Sequence, residues 1–366
     1  MTTKMWDVVI IGAGQAGLAT AHEVQRRGNT NFIIFDANDG PGGAWRHRWD
    51  SLTLGHTHGI ADLPGLAMDR PDPTVPASQL VADYYGAYEA EFDLPVLRPA
   101  HVRQVTQERI DAPFTITLDS GDQHMARRVI NATGTWDSPY IPYIRGIENF
   151  QGKQLHTQHY RAAEDFAGRK TLVVGGGLSA VQFLLELAPV TETLWATRRP
   201  PDFKPGYDRP DWGLEVEERV RANTFAGEAP RSVVANTGIP MIPTYLEGVE
   251  AGTLVSRGMF DQITSDSVIF GRMDSSISDL AVPESWAPLP AGHEEKVDVI
   301  FWNTGFRAHV PHLAPLGLRN PGGGITMSDE VTPERNPGIL LAGYGSTAST
   351  LGANRAGRKA GRAAVE

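Results

Sequence analysis

Two short glycine-rich segments, each lying between an apolar run and a helix-like run, constrain the fold of this chain more than any other feature. The first, residues 12–17, reads GAGQAG and follows the apolar residues 8–11. The second, residues 175–180, reads GGGLSA and follows the apolar residues 171–174. Short β-branched runs that end in such turns and continue into helical periodicity are typical of parallel βαβ units. The order of elements therefore predicts an α/β protein.

The first segment has the spacing of a dinucleotide-binding turn. Gly12 allows the tight turn, Gly14 lets the backbone approach a pyrophosphate, and Gly17 lets the helix pack close to the strand. The unpaired N–H groups and the positive dipole end of the helix N-terminus then face the phosphates. Asp36 closes the next predicted strand, residues 32–35, where a carboxylate can accept hydrogen bonds from a ribose diol. This complete order favours a binding site over a turn that only shortens a connection.

The second segment departs from the first in two ways. It ends in Ala180 instead of glycine, and its next predicted strand is followed by Arg198 and Arg199 instead of an acid. Dinucleotide sites tolerate the methyl group of an alanine at that position. A guanidinium group suits the 2′-phosphate that distinguishes NADPH from NADH. Two solvated loop arginines are the alternative interpretation, and it stays open.

Two dinucleotide-binding folds in one chain indicate two dinucleotides. The acid after the first turn suits the adenosine half of FAD, and the arginines after the second suit NADPH, with NADH as an option. We therefore predict an α/β fold with two Rossmann-like dinucleotide-binding domains. An FAD-binding domain of residues 1–150 plus 297–366 would hold an inserted NADPH-binding domain of residues 151–296. Hydride would pass from the nicotinamide to the flavin.

Composition disfavours several other functions. The 366 residues include 33 Lys and Arg against 43 Asp and Glu, and this net charge of −10 does not suggest binding to nucleic acid or to an anionic membrane. The sequence has no cysteine, which excludes disulfides, thiolate metal sites and a redox-active dithiol. We find no signal peptide and no apolar run as long as a membrane span, and therefore expect a cytoplasmic protein.

Three histidines, His47, His56 and His58, are the candidates for a metal site. Neither a cysteine nor a cluster of acidic ligands completes a site around them. We therefore expect no metal, and we expect these histidines to line the flavin pocket or to cap loops.

Further motifs resemble those of the class B flavoprotein monooxygenases, and most closely the bacterial flavin-containing monooxygenases. Residues 42–45 look like the second flavin segment of that family, residues 132–134 like its strand-end turn, and residues 303–306 like the C-terminal version of that turn. The most specific motif is similar to the family fingerprint F-x-G-x-x-x-H and lies just before the second glycine segment; its residues are Phe150, Gly152, His156 and Tyr160.

The glycine motifs and the resemblance together imply two sets of cofactor-binding residues. The predicted FAD-binding residues are Gly12, Gly14, Ala16, Gly17, Asp36, Ala44, Trp45, Val102 and Gly134. The predicted NADPH-binding residues are Gly175, Gly177, Ser179, Ala180, Arg198, Arg199, Thr304 and Gly305. We assign no protein acid or base to catalysis.

The resemblance implies an NADPH-dependent flavin monooxygenase that acts on O₂ and a small-molecule substrate. One oxygen atom would enter a thioether sulfur, an amine nitrogen or, in a Baeyer–Villiger reaction, a ketone, through a C4a-(hydro)peroxyflavin. Tyr160 at the end of the fingerprint favours heteroatom oxidation. Two alternatives are a flavin reductase that passes electrons to a protein or quinone acceptor, and a non-enzymatic NADPH sensor. The oligomeric state is open, with a homodimer as one option.

Overall fold

The computed structural model describes residues 4–57, 60–69, 72–205, 220–228, 238–274 and 279–366. The chain forms two compact units, each with its own internal contacts. The first unit comprises residues 1–138, 217–233 and 307–366, and the second comprises residues 139–216 and 234–306.

The chain changes unit near the positions expected from the sequence, with two differences. We expected crossings near residues 150 and 297, whereas the units change at residues 139 and 307, and residues 217–233 belong to the first unit. The early change has a local cause, since the N–H of Tyr140 donates to the carbonyl of Gly305 at 3.0 Å within the second unit. Which cofactor each unit holds stays a prediction.

The strands and helices of both units are numbered along the chain. The strands are β1 (Met5–Ile11), β2 (Phe32–Phe35), β3 (Val96–Leu97), β4 (Val102–Gln107), β5 (Phe114–Leu118), β6 (Gln123–Asn131), β7 (Lys153–His156), β8 (Lys170–Val174), β9 (Glu192–Ala196), β10 (Phe203–Lys204), β11 (Ile239–Pro240), β12 (Phe260–Ile263), β13 (Ser267–Phe270), β14 (Glu294–Lys296), β15 (Val299–Trp302) and β16 (Ile339–Leu341). The helices are α1 (Gln15–Arg26), α2 (Ala77–Glu91), α3 (Leu178–Leu187), α4 (Pro243–Glu250) and α5 (Thr350–Val365).

A seven-stranded sheet forms the centre of the first unit. Its parallel part runs β3-β2-β1-β6, with β16 also paired to β6, and the antiparallel strands β5 and β4 extend it. Val8, Val9 and Ile10 of the central strand β1 are fully buried. A continuous apolar strand is expected where both faces of a parallel sheet are covered.

Small residues let α1 and α5 pack closely in the first unit. A Cβ atom placed on Gly357 of α5 would lie 2.5 Å from the carbonyl oxygen of Ala16, and one placed on Gly361 would lie 2.8 Å from the Cβ of Glu23. Glu23 is itself buried and forms ion pairs with Arg26 at 3.0 Å and Arg27 at 2.8 Å. These pairs compensate the cost of placing a carboxylate beneath the C-terminal helix.

The second unit contains a smaller parallel sheet in the order β7-β15-β8-β9 and an antiparallel sheet in the order β12-β13-β14. The segment after α4 runs beside β9, where the N–H of Arg257 donates to the carbonyl of Trp195 at 2.9 Å. Leu172 and Val173 of β8 are fully buried, as are Ile300 and Phe301 of β15. This sheet carries the second glycine segment at the carboxyl end of β8.

The same backbone hydrogen bonds support the glycine turns of both units. In the first unit the N–H of Gly12 donates to Phe35 at 2.7 Å, and the N–H of Ala132 donates to Ile11 at 2.8 Å. In the second unit Gly175 donates to Ala196 at 3.0 Å, and Asn303 donates to Val174 at 2.7 Å. The sequence-based prediction of two similar βαβ units is therefore confirmed.

The strands expected around the apolar runs at residues 8–11, 32–35 and 171–174 are also confirmed. Within the part of the chain that the structure describes, no helix is long and apolar enough to cross a membrane.

The contact between α1 and α5 gives a test of the fold. In an exposed helix Gly→Ala stabilises by about 1 kcal/mol, but overpacking in a core costs about 1–3 kcal/mol. Gly357→Ala should therefore lower the free energy of unfolding measured by denaturant titration. The neighbouring residue Arg358 is exposed, so Arg358→Ala should change it by no more than about 0.5 kcal/mol. A stabilised Gly357→Ala variant would contradict the close packing of these helices.

Candidate functional site

A cleft of about 350 Å³ lies at the carboxyl ends of β1 and β6 in the first unit. Ligands of open α/β sheets bind outside this edge. The predicted FAD-binding residues that line it are Gly12, Gly14, Ala16, Asp36, Ala44, Trp45, Val102 and Gly134. The first glycine segment, the second flavin segment and the strand-end turn therefore meet at one place.

The glycine turn at the base of the cleft has the conformation that the sequence predicted. Gly12 has a φ of +100°, and a Cβ atom on it would lie 2.7 Å from the carbonyl oxygen of Ala132. Gly17 does not line the cleft, because it faces the turn itself: a Cβ atom there would lie 1.9 Å from the carbonyl oxygen of Gly12. A side chain at either position would push α1 away from β1.

Gly14 lies where the N-terminus of α1 meets the segment of residues 42–45. A Cβ atom on Gly43 would lie 2.7 Å from the Cα of Gly14, whereas one on Gly14 would have no described atom closer than 3.9 Å. The first turn of α1 has no acidic residue, and its first N–H groups lack partners within the helix. These N–H groups can therefore bind an anion such as a phosphate.

Asp36 is held in position by a chain of ion pairs. Its carboxylate accepts a hydrogen bond from the Nε of Arg98 at 2.7 Å, and Arg98 also donates to both oxygens of Glu89 at 2.6 Å. Burial lowers the pKa of Arg98, but the bonds to Glu89 and Asp36 outweigh this effect and raise it. A carboxylate has about four acceptor sites, so Asp36 keeps sites for a ribose diol.

The cleft also contains residues that the sequence reasoning missed. They are Arg48, Tyr85, Trp136, His309 and His312. Arg48 closely follows the second flavin segment, and Tyr85 lies on α2, but no sequence motif signalled that either residue lines the cleft. His47, expected near the flavin pocket, lines the cleft and contacts Asn38 at 2.6 Å, while His58 lies outside the described residues.

Two histidines of the cleft are held by polar side chains. The Nε2 of His312 is 2.7 Å from the Oδ1 of Asn131, and the Nδ1 of His309 is 2.9 Å from the hydroxyl of Ser138. Burial lowers the pKa of His312 to about 3 and also lowers the pKa of His309. Both rings are therefore neutral near pH 7.

The second glycine segment repeats this geometry in the second unit. Gly175 has a φ of +145°, and a Cβ atom on it would lie 2.2 Å from the carbonyl oxygen of Asn303. Gly177 caps α3, whose first turn has no acidic residue. Ala180 is fully buried against the sheet, while Ser179 is exposed. The methyl group of Ala180 is thus accommodated, and the N-terminus of α3 is available to an anion.

The two arginines after β9 remain accessible. Arg198 and Arg199 are exposed, and neither forms an ion pair with a described carboxylate. The turn that presents them is fixed by Thr197, whose hydroxyl donates to the carbonyl of Arg199 at 2.6 Å. Thr304 donates to the carbonyl of Tyr140. The role of Arg198 and Arg199 toward a nucleotide phosphate stays a prediction.

His156 of the fingerprint supports the turn at Gly305. Its Nε2 is 3.0 Å from the Gly305 carbonyl, its Nδ1 accepts from Gln158 at 3.3 Å, and its ring lies edge-on to Phe306. Burial lowers its pKa to about 4, although the bond to Gly305 acts against this. A neutral ring with the proton on Nε2 satisfies both contacts.

The remaining fingerprint residues pack in the second unit. A Cβ atom on Gly152 would lie 2.5 Å from the carbonyl oxygen of Asp298 and from the ring of Phe150, so the chain passes closely there. Tyr160 is 1% exposed, and its hydroxyl donates to Glu186 at 2.8 Å. Its ring packs with three phenylalanines: Phe166, Phe183 and Phe301. Tyr160 is therefore part of a buried aromatic cluster.

Residues 9–216 match a protein-family model described as pyridine nucleotide-disulphide oxidoreductase. This segment makes up more than half of the 366 residues and contains both glycine turns. The chain therefore belongs to the pyridine nucleotide-disulphide oxidoreductase family, although its sequence holds no cysteine.

Similarity to solved and curated proteins defines the subgroup. A flavin-containing monooxygenase from Stenotrophomonas maltophilia is 32% identical, the match covers 99% of this chain and 98% of that chain, and the TM-score is 0.78. A Baeyer-Villiger monooxygenase from Pseudomonas aeruginosa is 27% identical over 95% of this chain and 72% of its own length. An indole-3-pyruvate monooxygenase from Oryza sativa is 28% identical over 83% and 77%.

Within the family, the chain is a flavin monooxygenase and hence an oxidoreductase. The resemblance drawn from the sequence motifs and the predicted fold class are both confirmed. The reductase interpretation is less favoured by these relatives.

The buried neutral histidines predict a loss of stability in acid. Because the folded pKa values of His156 and His312 lie below the usual 6.5, the unfolded chain binds more protons, and the free energy of unfolding falls from about pH 6.5 toward pH 4. Thermal unfolding should show a smaller acid-induced loss of Tm in His156→Gln and His312→Gln than in the wild type. His101, with a ring that is 54% exposed, serves as the control in His101→Gln. Equal losses in all four proteins would contradict this assignment.

Proposed function

We propose that the protein is an NADPH-dependent flavin monooxygenase that binds FAD in the cleft of the first unit and NADPH at the glycine turn of the second. The observation that supports this most directly is the repeated turn, in which a glycine packs on a strand-end carbonyl and a helix N-terminus without acidic residues follows. Each turn suits one dinucleotide diphosphate. Two such turns suit an enzyme that transfers a hydride between two bound cofactors.

The residues of the first cleft fit FAD. The N-terminus of α1 would bind the diphosphate, Asp36 would accept hydrogen bonds from the ribose, and Gly134 and Val102 would border the adenosine half. FAD would supply the redox chemistry, accepting a hydride and then reacting with O₂. The aromatic side chains of Trp45 and Trp136 line the cleft and would limit the access of water.

The residues of the second unit would orient NADPH. The N-terminus of α3 would bind its diphosphate, and Arg198 and Arg199 would pair with the 2′-phosphate. His156 would act indirectly, by holding the backbone of Gly305 in place. No described residue is assigned as a proton donor or acceptor to the substrate.

We propose a soft nucleophile, a thioether sulfur or an amine nitrogen, as the substrate, with a ketone as the second candidate. The ketone is supported by the similarity to a Baeyer-Villiger monooxygenase over 95% of this chain. Tyr160 does not help to choose between these substrates by contacting one of them. Its hydroxyl donates to Glu186, and its ring is buried inside the aromatic cluster. We also propose a cytoplasmic location, as expected in the sequence analysis.

The proposed reaction can be tested by rapid mixing. FAD-loaded protein would be mixed with NADPH without oxygen, and then with oxygen and a simple thioether or a cyclic ketone. We expect NADPH to bleach the flavin. Oxygen should then reoxidise the flavin while the thioether is converted to a sulfoxide or the cyclic ketone to a lactone, with one O₂ consumed per molecule of product. Reoxidation that gives hydrogen peroxide alone, with both substrates, would contradict the monooxygenase and favour a reductase.

The choice between NADPH and NADH depends on two arginines. Loss of a charge-assisted hydrogen bond costs about 1.5–3 kcal/mol, so the double variant Arg198→Ala, Arg199→Ala should reduce the preference for NADPH over NADH at least about tenfold. The ratio of the two kcat/KM values for flavin reduction measures this preference. Arg272→Ala, at an exposed arginine elsewhere in the same unit, is the control. An unchanged ratio in the double variant would refute the role of these arginines.

A further inference from the structure

Two buried hydrogen-bond donors in the cleft of the first unit have no protein partner among the described residues. They are the Nε of Arg48 and the hydroxyl of Tyr85. Both residues line the cleft that contains the first glycine turn. Since buried polar groups are nearly always hydrogen bonded, two such donors at one site indicate a bound acceptor.

Arg48 is surrounded by aromatic rings instead of carboxylates. Its guanidinium carbon lies 4.2 Å from the centre of the Trp136 ring, and 5.8 Å and 5.9 Å from those of Trp45 and Trp49. It forms no ion pair with a described residue, and burial lowers its pKa to about 10. A desolvated cation without a counter-charge is costly, and an anionic ligand would relieve this cost.

Tyr85 differs from the two other tyrosines on the same helix. The hydroxyl of Tyr84 donates to the Leu66 carbonyl at 2.6 Å, and that of Tyr88 donates to the Pro64 carbonyl at 2.7 Å. Tyr85 is fully buried, and burial together with the neighbouring Tyr84 raises its pKa. Its hydroxyl therefore keeps its proton and remains a donor.

The position of α2 places Tyr85 beside the glycine turn. A Cβ atom on Gly42 would lie 3.1 Å from the Cα of Ala82, and one on Gly43 would lie 2.7 Å from the Cα of Gly14. Residues 42–43 therefore pack between the α2 helix on one side and the N-terminus of α1 on the other. Tyr85 lies one turn along α2 from Ala82, on the same face of the helix.

We propose that Arg48 and Tyr85 bind the diphosphate of FAD, donating hydrogen bonds to its phosphate oxygens together with the N-terminus of α1. This inference rests on the proposed binding of FAD in the cleft. The diphosphate is the anionic part of FAD, and a guanidinium group and a hydroxyl are suitable donors to it. The carboxylate of Asp36, already bonded to Arg98, does not neutralise Arg48.

The proposal has a consequence for stability that a purely structural role of Arg48 would not have. In the FAD-free protein Arg48 is a half-buried charge without an ion-pair partner among the described residues, so Arg48→Met should leave the Tm of the FAD-free protein unchanged or raise it. The same variant should reduce the increase in Tm that FAD produces, because the ligand loses its counter-charge.

The test measures binding of FAD, ADP and adenosine to the FAD-free protein by calorimetry. Quenching of flavin fluorescence gives a second measurement for FAD. ADP carries the diphosphate without the flavin, and adenosine carries neither. Arg48→Met should weaken both FAD and ADP at least about tenfold, and Tyr85→Phe should weaken both about fivefold, with adenosine unchanged. The matched controls are Arg46→Met, whose guanidinium donates to Pro41 at 2.7 Å, and Tyr88→Phe.

Several outcomes would overturn the proposal. If the Arg48 and Tyr85 variants bind FAD more weakly but bind ADP normally, the two residues contact the flavin part of FAD and not the diphosphate. If the variants bind both ligands normally, the two residues have no role in binding the cofactor. A less stable FAD-free Arg48→Met protein with normal affinities would make Arg48 a packing residue. A wild-type protein that binds FAD but not millimolar ADP would also refute the inference. Failure of the wild type to bind FAD would instead contradict the proposed function.

Discussion

In the two glycine turns, which connect β1 to α1 and β8 to α3, a backbone carbonyl occupies the space that a side chain would need. The carbonyl of Ala132 excludes a Cβ atom at Gly12, and that of Asn303 excludes one at Gly175. Because only glycine fits, a neighbouring strand end can pack directly under each turn and fix where the following helix begins. The helix N-terminus then points at the sheet edge, where its unpaired N–H groups can meet a phosphate. This packing therefore fixes the position of the glycine turn and of the helix N-terminus in each unit.

The sequence revealed this part of the structure because the signal is local. Strand, glycine turn and helix lie within one short segment, and the apolar runs around residues 8–11 and 171–174 mark their positions. The partners of these turns come from distant segments and carry no periodic signal. Arg98, which orients Asp36 from 62 residues away, is an example, and Tyr85 is another. Both are visible only once α2 and the chain after β3 are placed beside the turn.

The fingerprint shows the opposite limitation, in which a motif is recognised but its geometry is not. Its residues, within 150–160, precede the second glycine turn in the sequence, yet their spacing did not show where the side chains point. In the structure His156 supports Gly305, and Tyr160 joins Phe183 and Phe301 in the core. These residues shape the backbone around the second turn. The identity of a motif residue therefore does not reveal whether it contacts a ligand.

The cleft of the first unit is built from segments that lie far apart in the sequence. Gly12 and Gly14 form one side, and Thr350 and Ala353 of α5 also line it. The ribosome must therefore synthesise the whole second unit before the last part of this cleft emerges. Until then the face of α1 that α5 covers is exposed, and exposed apolar surface of this kind promotes aggregation of incomplete chains. The binding of FAD that we propose for this cleft would therefore follow synthesis of α5.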